Sequence, residues 1–213
     1  MLNKINKNKW KIIIIFIVLV CLSFAFAGLF YLSSLISNNY SQNTENTIGI
    51  ENNYWLGSAN PKIVIIEFAD FACPYCRESF SKIREIGIKY KKDVKIIYKD
   101  FPVLTDYSTN LALAGKCAGE QGMFWIMHDK LFLNQGVSTK TEIFELANQI
   151  GLENIQFRTC FNSKKYIKEI EQDLQIGKEL EITGTPSWFI NGEKIEGDIP
   201  YDIFIQIIEK LIK

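Results

Sequence analysis

The chain has 213 residues, with 24 Lys+Arg against 24 Asp+Glu and a formal net charge of zero. At 47% hydrophobic and 23% charged it is too apolar to be disordered throughout, and its length suits one domain with appendages. Five cysteines and a single histidine, His128, exclude a three-histidine metal site and any mechanism that needs two histidines.

Charge is unevenly placed. Lys4, Lys7, Lys9 and Lys11 precede an uncharged apolar stretch over 12–36, and residues 1–36 contain no acid. The remainder is therefore mildly acidic and has no basic run, which argues against nucleic acid as a partner. A helix needs about 20 apolar residues to cross the hydrocarbon core, so 12–36 is long enough to span with some tilt. The preceding lysines place residues 1–11 in the cytoplasm as a basic tail and the rest of the chain outside it. The rival reading is a cleaved signal peptide, since Ala25-Phe26-Ala27 ahead of Gly28 has a small-x-small pattern. Apolar residues continue through Leu29, Phe30 and Leu35, which favours an uncleaved anchor. Cys21 follows Leu19-Val20 rather than small residues, so it reads as a membrane thiol rather than a lipidation site.

Residues 37–53 are rich in Asn with Ser, Thr and Gln and read as a flexible spacer. A folded domain is expected over 54–213. Lys62 to Phe68 is a β-branched run bounded by Asn60-Pro61, the pattern of a buried strand. Asp93 to Lys99 predicts a second strand. Between them Phe80, Ile83, Ile86 or Gly87, and Tyr90 recur at helical spacing, with Pro74 at the helix start. Strand–helix–strand of this kind implies a right-handed crossover and a parallel pair. From about 105 to 180 the patterns are helical. Ser187 to Ile190, Asn191-Gly192 and Glu193 to Glu196 then predict a hairpin, and a last amphipathic helix follows Pro200 with Ile203, Phe204, Ile207, Ile208 and Leu211. The fold class expected is α/β, in the order βαβ, a helical block, then ββα.

Cys73-Pro74-Tyr75-Cys76 stands where the first strand gives way to the first helix. Unpaired N–H groups and the macrodipole at a helix amino terminus stabilise a thiolate on Cys73. Cys76, one turn on, is placed to close a disulfide with it and to act as the buried resolving thiol. The alternative is half of a zinc site. That would call for a second closely spaced pair, whereas Cys117 and Cys160 lie 43 residues apart and His128 is alone. Cys117 follows Leu113 and Ala114 on an apolar helical face, and Cys160 lies between Phe157 and Phe161. Export permits these two to pair as a structural disulfide, contributing roughly 4 kcal/mol on the chain-entropy model; two separate buried thiols is the other reading.

The segment Glu67-Phe68-Ala69-Asp70-Phe71-Ala72-Cys73-Pro74-Tyr75-Cys76 resembles the active-site segment of the DsbA-type thiol–disulfide oxidoreductases of the thioredoxin superfamily. Phe124-Trp125 with Met127-His128-Asp129, and Gly184-Thr185-Pro186 ahead of Trp188-Phe189-Ile190-Asn191-Gly192, resemble two further segments, in the same order. The resemblance implies a thioredoxin fold with a helical insertion and no cofactor. It implies that Pro186 is a cis-proline lying against the redox pair, with Thr185 offering backbone groups to an extended substrate. It gives Glu67 a role in tuning the pair, by moving protons to or from Cys76. The plainer reading turns Glu67 to solvent at the strand end. Lys99 is a candidate counter-charge for Glu67, and His128 reads as a core histidine.

The function expected is an extracytoplasmic oxidoreductase that introduces disulfides into reduced or misfolded exported polypeptides. It would be held in the inner membrane by 12–36, face the periplasm, and be reoxidised by a quinone-linked membrane partner that the resemblance implies. A disulfide isomerase or reductase of the same fold is the enzymatic alternative. A peptide-binding chaperone with incidental cysteines is the non-enzymatic one.

Overall fold

The computed structural model of the protein describes residues 10–29, 31–32, 48 and 53–213, which fall into two units, Met1–Thr47 and Ile48–Lys213. In the first unit, helix α1 runs over Trp10–Leu29, with Tyr31 and Leu32 also helical. Its 20 residues give about 30 Å of rise, long and apolar enough to cross a membrane. Residues 1–9 of the expected tail, Phe30 and residues 33–36 of the expected anchor, and the expected spacer apart from Ile48 and Asn53, lie outside the described residues.

The second unit is built on a five-stranded sheet of order β1-β3-β2-β4-β5. Its elements in chain order are β1 Trp55–Gly57, β2 Ile63–Ala69, α2 Pro74–Lys89, β3 Val94–Asp100, α3 Ser108–Gly119, α4 Phe124–Leu133, α5 Lys140–Gln149, α6 Asn154–Asn162, α7 Ile167–Glu179, β4 Ser187–Ile190, β5 Glu193–Glu196 and α8 Tyr201–Ile212. Strands β2 and β3 are parallel, and the other pairs are antiparallel. This is a thioredoxin-like sheet whose central crossover leaves room for a helical insertion.

Every residue of β2 is buried, because the sheet is covered on both faces. Alternation decides which face each residue serves. Ile63 and Ile65 join Val94 and Ile96 against Ile83 and Ile86 of α2 and Phe204 and Ile208 of α8. Val64, Ile66 and Phe68 face the other way, with Ile97, Phe101 and Phe189, and meet Leu174 and Ile176 of α7. Ile48 is fully buried in this second cluster, so packing takes in a residue ahead of the expected start at Tyr54. A third cluster joins Phe71 and Tyr98 to Leu111, Phe124, Met127, Phe132, Ile143 and Phe157 of the insertion.

Strand β1 has no counterpart in the sequence reading. It pairs antiparallel with β3, Trp55 opposite Ile97, and ends at Gly57, whose φ is +105°. A Cβ at Gly57 would collide with the Val94 carbonyl oxygen, so this edge closes only with glycine there. The hairpin lies where it is expected, with Asn191 and Gly192 both at positive φ in the two-residue turn. On α8 the buried stripe is narrower than the pattern suggests. Phe204 and Ile208 are buried, while Ile203 and Leu211 are exposed.

The helical block expected over 105–180 comprises α3 to α7. The Cys117–Cys160 disulfide joins α3 to α6, with Cα atoms 5.8 Å apart. Buried charges tie the block to the sheet: Lys116 of α3 lies 3.5 Å from Asp100 of β3 and 3.6 Å from Asp173 of α7. Lys99 pairs with Asp173 at 2.8 Å. Lys99 is therefore not the counter-charge of Glu67. The residue beside Glu67 across the parallel pair is Tyr98, and its neighbour Lys99 projects from the opposite face of the sheet.

Candidate active site

Strand β2 ends at Ala69, and four residues later Cys73 occupies the N-cap of α2, with Pro74 as the first helical residue. Proline is suited to that place because its missing N–H would have no helical partner. Asp70 shapes the turn. Its main-chain oxygen accepts the Cys73 N–H at 2.9 Å, and its carboxylate Oδ1 accepts the Ala72 N–H at 2.9 Å. The other carboxylate oxygen accepts the N–H groups of Val103 and Leu104, both at 2.9 Å. A single buried carboxylate thus binds the redox loop to the loop that leaves the neighbouring parallel strand.

From the insertion, the Gln135 side-chain amide donates to the carbonyl oxygens of Phe71 (3.0 Å) and Cys73 (2.7 Å). Neither Asp70 nor Gln135 was singled out in the sequence for these tasks. Asp70 carries a signal in retrospect, as a carboxylate three residues before the cysteine in an apolar segment. Gln135 carries none.

Cys73 and Cys76 are both free thiols in the structure, and Cys76 is the deeper. The Cys73 sulfhydryl donates to the Thr185 carbonyl oxygen at 3.2 Å, across the cis peptide bond Thr185–Pro186. The structure therefore brings Cys73, Cys76, Thr185 and Pro186 together from opposite ends of the domain. The hydrogen bond from Cys76 lowers the Cys73 pKa to about 6. It outweighs burial, and the Thr185 side chain and the N–H groups of Cys76 and Tyr75 assist it. Cys76 is pushed the other way, well above the ordinary thiol range, by burial first and then by its contact with Cys73 and the charge of Glu67.

Glu67 is fully buried on β2, between Tyr98 and Trp188 in register, rather than turned to solvent at the strand end. Neither of its carboxylate oxygens has a hydrogen-bond partner among the described residues. Burial, with the Cys73 charge second, raises its pKa to about 8. His128 is buried among the rings of Phe71, Tyr98, Trp125 and Phe132, with Nδ1 2.9 Å from Asp129. It takes its place as a packing residue. Cys117 and Cys160, which a zinc site at the CxxC pair would have needed, are bonded to each other.

Residues 50–210 match the family model described as Thioredoxin. Among curated proteins the chain is similar to the Na(+)/H(+) antiporter NhaA 3 of Salinispora tropica, at 32% identity over 150 residues, 69% of this chain and 22% of that protein. The NhaA 1 antiporter of Salinispora arenicola is 29% identical over 144 residues, again 22% of its length. The chain thus spans about a fifth of those relatives. Among solved structures, the thiol-disulfide exchange protein alpha-DsbA2 of Wolbachia pipientis superposes with a TM-score of 0.74 at 17% identity, covering 84% of this chain and 98% of that one. BdbD of Bacillus subtilis gives 0.68 at 24% identity, covering 76% and 94%. Wolbachia alpha-DsbA1 gives 0.68 at 26% identity, covering 79% and 94%. With the family model covering most of the chain and the DsbA-type fold around a CxxC pair and a cis-proline, the chain belongs to the thioredoxin family.

Proposed function

We propose that this protein is a thiol–disulfide oxidoreductase that donates the Cys73–Cys76 disulfide to exported polypeptides. The observation that carries the reading is the opposite perturbation of two thiols one helical turn apart: Cys73 at the helix terminus is acidified, and Cys76 behind it is not. A substrate thiolate attacks Cys73 Sγ of the oxidised pair. The Cys73–Cys76 bond breaks and its electron pair leaves on Cys76, which is then protonated. Glu67, raised to about 8 beside that pair, is the carboxyl suited to supply this proton. A second substrate thiolate then attacks the substrate sulfur of the mixed disulfide and expels Cys73 as a thiolate. Two electrons have passed to the pair, and the substrate leaves oxidised. A stable Cys73 thiolate makes it a good leaving group and favours donation.

Polypeptide substrates suit the surroundings. Tyr75, in the first turn of α2, and Val103 and Leu104, on the loop that Asp70 ties to the redox turn, are exposed apolar residues. In this reading the main chain at Thr185 pairs with an extended segment of the substrate, and Pro186 leaves no N–H there to compete. Helix α1, preceded by lysines, suits a single-pass anchor in the inner membrane with the domain on the periplasmic side. A quinone-linked membrane partner that reoxidises the pair is part of the same reading.

The test is to give the purified full chain, in detergent micelles and preoxidised, a reduced unfolded protein and separately a scrambled one. Fast disulfide formation in the first with little rescue of the second is expected. Efficient rescue of the scrambled protein would make isomerase the better reading, and activity that survives Ser at both Cys73 and Cys76 would leave only a chaperone.

A further inference from the structure

Gln135 lies in the turn after α4, between Asn134 and Gly136, and belongs to the insertion rather than to the sheet. The turn is fixed by its own bonds. Asn134 Nδ2 donates to the Lys130 carbonyl at 2.8 Å, and Gly136 takes a φ of +102° that other residues rarely adopt. From this support the two hydrogens of Gln135 Nε2 reach the carbonyl oxygens of Phe71 and Cys73. The Cys73 carbonyl also accepts the Arg77 N–H at 3.1 Å, the first helical bond of α2. One amide nitrogen therefore holds both ends of the segment 71–73, and it does so at the residue whose sulfur must carry a full negative charge.

A carbonyl oxygen carries partial negative charge. With the Gln135 donor removed, the one on Cys73 keeps only the Arg77 N–H and opposes ionisation of the sulfur on the same residue more strongly. The site is partly buried, so such short-range interactions are weakly screened. We propose that Gln135 is a positioning residue for the exchange reaction, which through two carbonyl oxygens fixes the 71–73 segment and favours the thiolate of Cys73. The inference rests on the thiol-exchange reading above. It gives the helical insertion a part in the chemistry through main-chain oxygens rather than through the reacting sulfur itself. Gln135 also lines a shallow open recess with Pro74, Arg77, Glu78, Phe80 and Ser81, so replacing its side chain admits water rather than sealing a void.

The experiment measures Cys73 alkylation against pH in the reduced full chain, by mass analysis of the peptide that carries it so that Cys21 does not contribute. Gln135→Leu removes both donors, Gln135→Glu replaces them with a negative charge, and Gln135→Lys keeps a donor. The midpoint should rise in Gln135→Leu, rise further in Gln135→Glu, and stay at or below the wild-type value in Gln135→Lys. At pH 6 alkylation should slow about threefold in the first and about tenfold in the second, with all rates converging at pH 9. A merely structural role would disturb folding without this ordering by charge. Equal midpoints in wild type and all three variants would overturn the inference while leaving thiol exchange intact. A wild-type midpoint near the ordinary thiol value, with no exchange activity, would sink both.

Discussion

The Cys73 sulfur and the Thr185 carbonyl oxygen, 112 residues apart in the chain, lie 3.2 Å apart across the cis peptide bond. The Thr185 side chain also helps to lower the Cys73 pKa. Replacing it by valine keeps the β-branched shape and the main chain but removes the hydroxyl. In Thr185→Val the alkylation midpoint of Cys73 should move up from about 6, slowing the reaction at pH 6 about three- to tenfold. An unchanged midpoint would show that the main chain of residue 185, and not its hydroxyl, meets the sulfur.

Roles within the pair follow from depth and charge. Cys76→Ser removes the resolving thiol, so mixed disulfides through Cys73 should accumulate and be visible on non-reducing gels. Cys73→Ser should trap none, because Cys76 is buried and holds its proton far above neutrality. Trapping by the Cys73→Ser variant would reverse the assignment.

Glu67 links the site to pH-dependent stability. Its carboxyl is raised from 4.5 to about 8, so between those values the folded state binds a proton that the unfolded state does not. Stability therefore falls as pH rises through this window, and the loss is complete above about 8. Glu67→Gln removes the buried charge. It should leave stability at pH 5 nearly unchanged and raise it by about 2–4 kcal/mol at pH 9, measured by urea unfolding of the reduced protein. Equal gains at both pH values would mean that packing, and not ionisation, sets the difference.

What could be read in the sequence is what short-range chemistry decides. The CxxC pair at a strand-to-helix junction, Pro74 at the first helical position and Asn191-Gly192 between two strand patterns each carry their geometry within a few residues. Strand β1 was not legible, because Trp55-Leu56-Gly57 is too short for a period and becomes a strand only by pairing with β3. The partner of Lys99 was missed for a related reason. Glu67 and Lys99 sit on adjacent strands, but only the register, with Glu67 beside Tyr98, tells which face each side chain uses. Asp70 and Gln135 act through main-chain groups far along the chain, and no residue pattern announces such contacts. The narrow buried stripe of α8 likewise reflects how much of that helix the sheet covers, not its composition.

The buried charges that fasten the insertion make the last prediction. Lys116 is nearly inaccessible and lies within 4 Å of both Asp100 and Asp173, while Asp173 also holds Lys99. Burial raises the Asp100 pKa to about 7 in spite of Lys116, so this carboxyl is only about half ionised at neutral pH, and Lys116 is the chief group that favours its charged form. Lys116→Met should cost about 3–5 kcal/mol, because it strands buried carboxylates without their cation. Asp100→Leu in the same chain removes one stranded charge and should recover part of the loss, giving a coupling of about 1–3 kcal/mol in a double-mutant cycle. Urea unfolding of the four proteins at pH 8, where Asp100 is ionised, measures this coupling. Strictly additive losses would mean that Lys116 stabilises the junction by packing over Tyr54 rather than by charge; its Nζ lies 5.7 Å from the centre of that ring.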